Sequence, residues 1–349
     1  MSILAQQVNT LYFLENNPLR HQLNVAQQPL SAFYFNLPVI GYTDFSVGSN
    51  ALKVSKLTLS KEDFLLSMPS STLVQTALNT NLFGFGFRAK SSYLTVGISS
   101  KTSVKLGVPS DLFKILLFGN VNYSNGIPQL TGNAFDFSNF SAFGLSYIEA
   151  ALGYSKLIDE KLTLGIKLKY LHGLATMNGR FSNFTADTGI DQWKIEANAS
   201  IDYAYPDPNN FSVSSLVNPL GMGGAVDLGV VYKPIERLAL GASVNDVGFI
   251  RWNKKPSNLA VDYNVNLTGL QHTNLNDILN GNVTDGYVDT LLTDLRNGIS
   301  HTTSQNIFTT NLSPTLNLSA EYHLYKQFLS VGLLSRSEEH TSELQSRHN

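Results

Sequence analysis

Apolar and polar residues alternate with a period of two along residues 225–252. Val226, Leu228, Val230 and Tyr232 fall on one side of the chain, and Asp227, Gly229, Val231 and Lys233 on the other. After a short polar break, Leu238, Leu240, Ala242 and Val244 alternate with Ala239, Gly241, Ser243 and Asn245. Neighbouring side chains of a strand point to opposite faces, so the pattern predicts a β-hairpin with one apolar face and one small or polar face. The plan recurs in residues 148–154 and 162–170, around a polar turn at 155–161. It returns a third time where Leu316, Leu318, Ala320 and Tyr322 face Leu329, Val331 and Leu333. Residues 82–88 and 93–99 alternate around a turn at 90–92, and Phe33, Phe35, Leu37, Phe45 and Val47 mark two short aromatic-rich strands.

Between these stretches the period changes. Ser60 followed by Glu62 and Asp63 predicts a helix start, residues 73–78 read as a helical piece after Pro69, and residues 111–118 read as a short helix ended by Gly119. Residues 178–193 and 206–224 read as long Asn- and Pro-rich connections. Residues 253–306 read as a polar excursion with helical spacing at 275–279 and 287–295.

Three regularities predict that the apolar face meets lipid. Short turns alternate with long loops, as in barrels whose turns lie on one side of a membrane and loops on the other. Tyr154, Tyr232 and Tyr322 each close an apolar face just before a short turn, as an interfacial aromatic girdle would. Gly97, Gly153, Gly165, Gly229, Gly241 and Gly332 fall on the opposite face, where glycine leaves room for an inner element. Asp246 carries charge on the apolar parity; a bulge or strand end near residues 245–248 is expected to turn it from lipid, where it would cost on the order of 2 kcal/mol.

Composition narrows the class. Charged residues make up 14% of the 349, against roughly 25% in ordinary globular proteins. No apolar run approaches the ~20 residues of a spanning helix, so a membrane crossing would have to be made by strands. With no cysteine, disulfides and thiolate chemistry are absent, and a net charge of −2 without a basic cluster excludes a nucleic-acid partner. Residues 1–7 resemble the tail of a secretory signal and its cleavage region. From Arg336 the sequence RSEEHTSELQS abandons alternation and is similar to the translation of a sequencing adapter, so residues 336–349 are expected to be an artefact.

Glu149, Lys167, Lys169, Asp227 and Glu321 share the inward parity and are the lumen-facing candidates; they would either line a solvated path or pair among themselves as a polar filling. His21, His172, His272, His301 and His323 lack an i, i+4 partner, and the GMGG at 221–224 lacks the Gly-Lys-Ser or Gly-Lys-Thr of a phosphate loop. A wall Ser beside His172 or His323 would suit a barrel hydrolase, but nothing in the sequence pairs them. No catalytic residue, cofactor or metal is expected.

The stretches LYFLENNPLRHQLN with FYFNLPVIGY, ALGYSKLIDEKLTLGIKLKYLHG, and DLGVVYKPIERLALGASVNDVGFIRW resemble an uncharacterised family of Bacteroidota outer-membrane β-barrels. Similarity to barrels of the fatty-acid transporter type is looser. Where the family continues Asn-Pro-Ala, this chain has Asn24, Val25 and Ala26. The resemblance implies fold and location and supplies no substrate. The expected whole is an all-β, antiparallel transmembrane barrel over residues 8–335 with partly helical long loops, truncated before the last of about 12 to 14 strands. Its expected role is passage or binding of a small solute, an apolar one included, with outer-membrane lipid around it. The alternative is a non-transporting anchor or accessory of a surface or secretion complex.

Overall fold

The computed structural model describes residues 12–13, 17–37, 43–53, 56, 58–119, 122–124, 127–129, 133–189, 192–206, 217–268, 299–325 and 329–338. Its strands are β1 (Phe33–Asn36), β2 (Thr43–Ser49), β3 (Ser71–Ala89), β4 (Ser92–Pro109), β5 (Asn122–Ser124), β6 (Ile127–Gln129), β7 (Asn133–Asp136), β8 (Ser141–Leu157) and β9 (Leu162–Thr188). They continue with β10 (Gln192–Ala204), β11 (Gly221–Ile235), β12 (Leu238–Trp252), β13 (Ser257–Thr268), β14 (Ile299–Ser304), β15 (Phe308–Asn311), β16 (Thr315–Tyr325) and β17 (Leu329–Glu338). Among the described residues, two α-helices, α1 (Lys61–Leu66) and α2 (Ser110–Phe118), lie between β2 and β3 and between β4 and β5.

The wall is one 15-stranded sheet whose main path of nine strands runs β1-β3-β4-β8-β9-β11-β12-β16-β17, with β2, β7, β10, β13, β14 and β15 paired off it; every pairing is antiparallel, and the sheet curls into a half-barrel. The three expected hairpins are all present, as β8–β9, β11–β12 and β16–β17. Leu152, Leu168, Leu228 and Leu318 are about half exposed on the outer face, whereas Lys167, Lys169 and Asp227 on the alternate parity are buried. The polarity is thus inverted relative to a protein folded around an apolar core. Residues 1–7, 275–279, 287–295 and 339–349 lie outside the described residues; 336–338 pair with Thr315–Asn317 at the end of β17.

Three expectations are corrected. Residues 73–78 are strand, because β3 is held on both sides, by β2 (Phe45 opposite Leu78) and by β4 (Val74 opposite Leu106); ladder pairing overrides local helical spacing. Residues 178–193 are mostly strand as well. The 27-residue β9 runs to Thr188, its first half flanked by β8 and β11 and its second by β8 and β10, with β7 pairing at its end. Part of the expected polar excursion at 253–306 is strand too: β13 pairs with β10 and β14 with β13, so ladder pairing extends the same sheet through it. Helix α1 is capped as expected, with Ser60 Oγ accepting from the Asp63 N–H at 3.1 Å. Helix α2 sets Ile115 and Leu112 against Phe135, Phe137 and Ala186 near the far end of β9.

A bulge sits opposite Asp227: Val226 pairs with Val247, but Leu228 pairs with Val244, so Asn245 and Asp246 share one opposite residue. Asp246 takes φ 60°, the left-handed region. The extra residue reverses the parity of β12 beyond it. Val247 and Phe249 are half exposed, while Ile250 and Trp252 are fully buried in an inner apolar cluster with Leu171 and Leu312.

The inner face is filled by the chain's own N-terminal segment. A 3-10 turn over Pro18–Gln22, capped by Asn17, leads into Asn24, Val25 and Ala26, all three buried. The segment lies on glycines of β9 and β11: a Cβ on Gly165 would come within 2.7 Å of the Ala26 nitrogen, and one on Gly229 would collide with the Asn24 side-chain oxygen. The room left by glycine is occupied by backbone.

Candidate functional site

Alternation along five neighbouring strands brings six charged side chains together on the inner wall. Lys101 comes from β4, Glu149 from β8, Lys167 and Lys169 from β9, Asp227 from β11 and Asp246 from β12. Lys169 Nζ lies 2.6 Å from Asp246 Oδ1, 2.7 Å from Asp227 Oδ1 and 3.7 Å from Glu149 Oε2. Lys101 Nζ lies 2.8 Å from Glu149 Oε2 and 3.4 Å from Asp246 Oδ1, and Lys167 Nζ lies 3.6 Å from Asp227 Oδ2. Three cations face three anions, so the belt is formally neutral. That balance is required, because an uncompensated buried charge costs several kcal/mol.

The plug is tied to this belt and to the strands beside it. Lys167 Nζ donates to the His21 carbonyl at 3.1 Å. Ser243 Oγ, Asn245 Nδ2 and Asn317 Nδ2 donate to the Leu23 carbonyl at 2.7, 2.8 and 3.1 Å. Asn24 Nδ2 donates to the Val230 and Ala242 carbonyls at 3.2 and 3.3 Å, and its Oδ1 accepts from the Ala26 N–H at 3.0 Å. His21 pairs through Nε2 with the Tyr34 hydroxyl at 3.0 Å. Burial first, and the Lys167 charge second, hold the His21 ring well below its ordinary pKa.

Beside the plug a cavity of about 580 Å³ opens along β3, β4, β12 and β16. Its lining is rich in hydroxyl and amide groups, Thr76, Thr80, Asn79 and Asn311 among them, together with Lys101, Lys105 and Asp246. Among the six belt residues, only Lys101 and Asp246 keep substantial exposure, 23% and 26% of their side chains against 8% or less for the rest.

The family model described as a family of unknown function, DUF5723, matches residues 26–347. The chain belongs to this family. No curated protein matches it. Among solved structures, the copper transporter OprC is similar to this DUF5723 chain at 11% identity, with a TM-score of 0.19, over 87% of this chain and 48% of its own. The chain therefore spans about half the length of that structure, and so low a score carries no argument about fold or cargo.

Four of the residues singled out by parity, Glu149, Lys167, Lys169 and Asp227, meet in the belt of this DUF5723 chain. Glu321 is buried on β16, opposite Ala239 and Gly332, and takes part in no ion pair among the described residues. Tyr154, Tyr232 and Tyr322 stand 42%, 44% and 40% exposed at the short-turn ends of β8, β11 and β16. Sequence parity missed Lys101, since residues 100–103 (SKTS) offer no apolar alternation to set their phase. It also did not count Asp246 as a site residue, although the charge on the apolar parity was the signal. The plug gave no signal except its counterpart, the glycines.

Proposed function

We propose that this DUF5723 chain is an outer-membrane β-barrel, stoppered by its own N-terminal segment, that binds or passes a small polar solute. The observation that carries the reading is the inverted polarity of the wall: Leu and Ile outward, a neutral charge belt and a docked plug inward. An outward apolar band suits hydrocarbon, and a hydroxyl- and amide-lined cavity suits a polar solute better than the apolar one that the fatty-acid-type resemblance brings to mind. A Bacteroidota origin belongs to the proposal on the strength of the quoted stretches alone, and catalysis forms no part of it. The test is fractionation followed by planar-bilayer recording of the full-length protein. The expected result is recovery only with detergent from outer membranes and a low basal conductance that rises when the plug is loosened by Asn24→Ala. Recovery in a detergent-free periplasmic fraction would overturn it.

One observation favours the accessory role as a second reading. Residues 174–188 of β9, paired with β10 and backed by β13 and β14, would project roughly 50 Å past the part flanked by β11, a surface fit for a protein partner. A conductance that stays closed in every plug variant, with a stoichiometric partner retained on purification, would favour it.

A further inference from the structure

Within the belt, the four sealed members already balance. Lys167 and Lys169 carry two positive charges, and Glu149 and Asp227 two negative ones, all with side chains 8% exposed or less. Lys101 and Asp246 are therefore a further pair that neutrality of the sealed set does not require. They differ from it in exposure: Glu149, Lys167 and Lys169 also border the cavity but are sealed, whereas Lys101 and Asp246 each present about a quarter of the side chain to it. Their 3.4 Å approach puts an ammonium and a carboxylate side by side at the cavity wall. Asp246 reaches that position through the bulge, with its backbone at φ 60°, a conformation that costs a non-glycine residue free energy and recurs at functional sites.

From this placement we infer that the Lys101–Asp246 pair is the recognition point for a small zwitterion, of the α-amino-acid or betaine type, in the cavity beside the plug. A zwitterion presents the reverse arrangement, a carboxylate for Lys101 and a cationic nitrogen for Asp246. Both wall charges stay paired when it binds, and Glu149 and Lys169 continue to hold the two side chains from behind at 2.8 and 2.6 Å. A neutral sugar would leave the pair intact but gain no charged contact. A simple anion or cation would satisfy one member and repel the other. The cavity of about 580 Å³ falls within the usual size of small-molecule sites.

The inference names the solute class for the proposed function and rests on that reading only for the location of the protein. Calorimetric titration of the full-length protein in detergent, using L-alanine, glycine betaine, glucose and acetate as probes, tests it directly. The expected result is saturable binding of the two zwitterions, mutually competitive, and at least tenfold weaker binding of glucose and acetate. Lys101→Gln should weaken zwitterion binding at least tenfold while leaving the circular dichroism unchanged. Asp246→Asn should act alike, and if it fails to fold, the ligand panel on the intact protein stands without it. Absence of zwitterion binding, or equal binding of glucose, would overturn the inference. The two readings fail separately: zwitterion binding by a barrel that never conducts would sink passage but keep the site, whereas a conducting barrel indifferent to zwitterions would keep passage and sink the site.

Discussion

The Asp227 carboxylate accepts the backbone N–H of Asp246 at 2.8 Å while also meeting Lys169 Nζ at 2.7 Å, so one buried side chain fixes both the bulge in β12 and the centre of the charge belt. Replacing it by alanine removes the bulge's acceptor and leaves the belt with three cations and two anions. Taking one partner from a buried pair costs about 3 kcal/mol or more. Asp227→Ala should therefore lower the unfolding midpoint measured in detergent. The double variant Asp227→Ala/Lys167→Met, which restores two charges against two, should recover part of the loss. If the single variant unfolds like the parent protein, the belt is not a stabilising element.

Docking of the plug depends on the absence of side chains at Gly165 and Gly229. A leucine at Gly165 would meet the Val25 and Ala26 backbone, which cannot move aside as a flexible side-chain tip would. Overpacking of this kind costs about 1 to 3 kcal/mol, and 1.4 kcal/mol shifts an equilibrium tenfold. Arg20, buried in the docked plug, reports the change through tryptic cleavage. Gly165→Leu should speed cleavage after Arg20 about tenfold while heat-modifiability of the barrel is retained. Gly144, where an added Cβ meets nothing within 4 Å, supplies the control, and Gly144→Ala should leave cleavage unchanged.

The wall was legible in the sequence wherever one face was apolar. Val226 to Val244 and Leu162 to Tyr170 announced their strands because lipid-type and interior-type side chains differ so sharply. In residues 178–188 the apolar side chains Phe181, Phe184 and Ala186 do not keep a period of two, so alternation carries no contrast, and the strand is specified by neighbours on β8 and β10 rather than by its own pattern. The parity reversal after Asp246 was half legible: a bulge could be foreseen from the misplaced charge, but not that it would send Ile250 and Trp252 inside. The plug was readable only as a vacancy. Nothing periodic marks residues 17–29, and the hydrogen bonds that seat Leu23 and Asn24 on the wall come from strands more than two hundred residues away.

His21 makes plug docking sensitive to pH. In the docked state its ring is buried beside Tyr34 and near Lys167, and its pKa lies well below the ordinary value of about 6.5 that the ring regains on release. Between those two values the released state binds more protons, so docking strengthens as pH rises. Its stability is fully present above about 6.5 and is lost as pH falls toward the docked-state value, by up to tenfold per unit. Tryptic cleavage after Arg20 should increase between pH 7.5 and 5.5 once corrected for the enzyme's own pH profile. His21→Gln, which keeps a hydrogen-bonding partner for Tyr34, should flatten the dependence. An unchanged slope in that variant would assign the effect to another group.

The outer face offers the sharpest test of what surrounds the barrel. Leu168 is 53% exposed on β9, between Ile166 and Tyr170 on the same face and across from Leu152 and Val226, further from the short turn than Tyr154 and Tyr232. In water an exposed leucine exchanged for lysine would be nearly neutral or mildly favourable. In hydrocarbon the same exchange costs roughly 2 to 4 kcal/mol near the midplane and about 0 to 1 near the interface. Leu168→Lys should therefore weaken folding into lipid bilayers, measured by urea titration, by several times more than a lysine placed at Tyr232, which stands by the short β11–β12 turn. Equal and negligible costs at both positions would mean that the apolar face meets water rather than lipid.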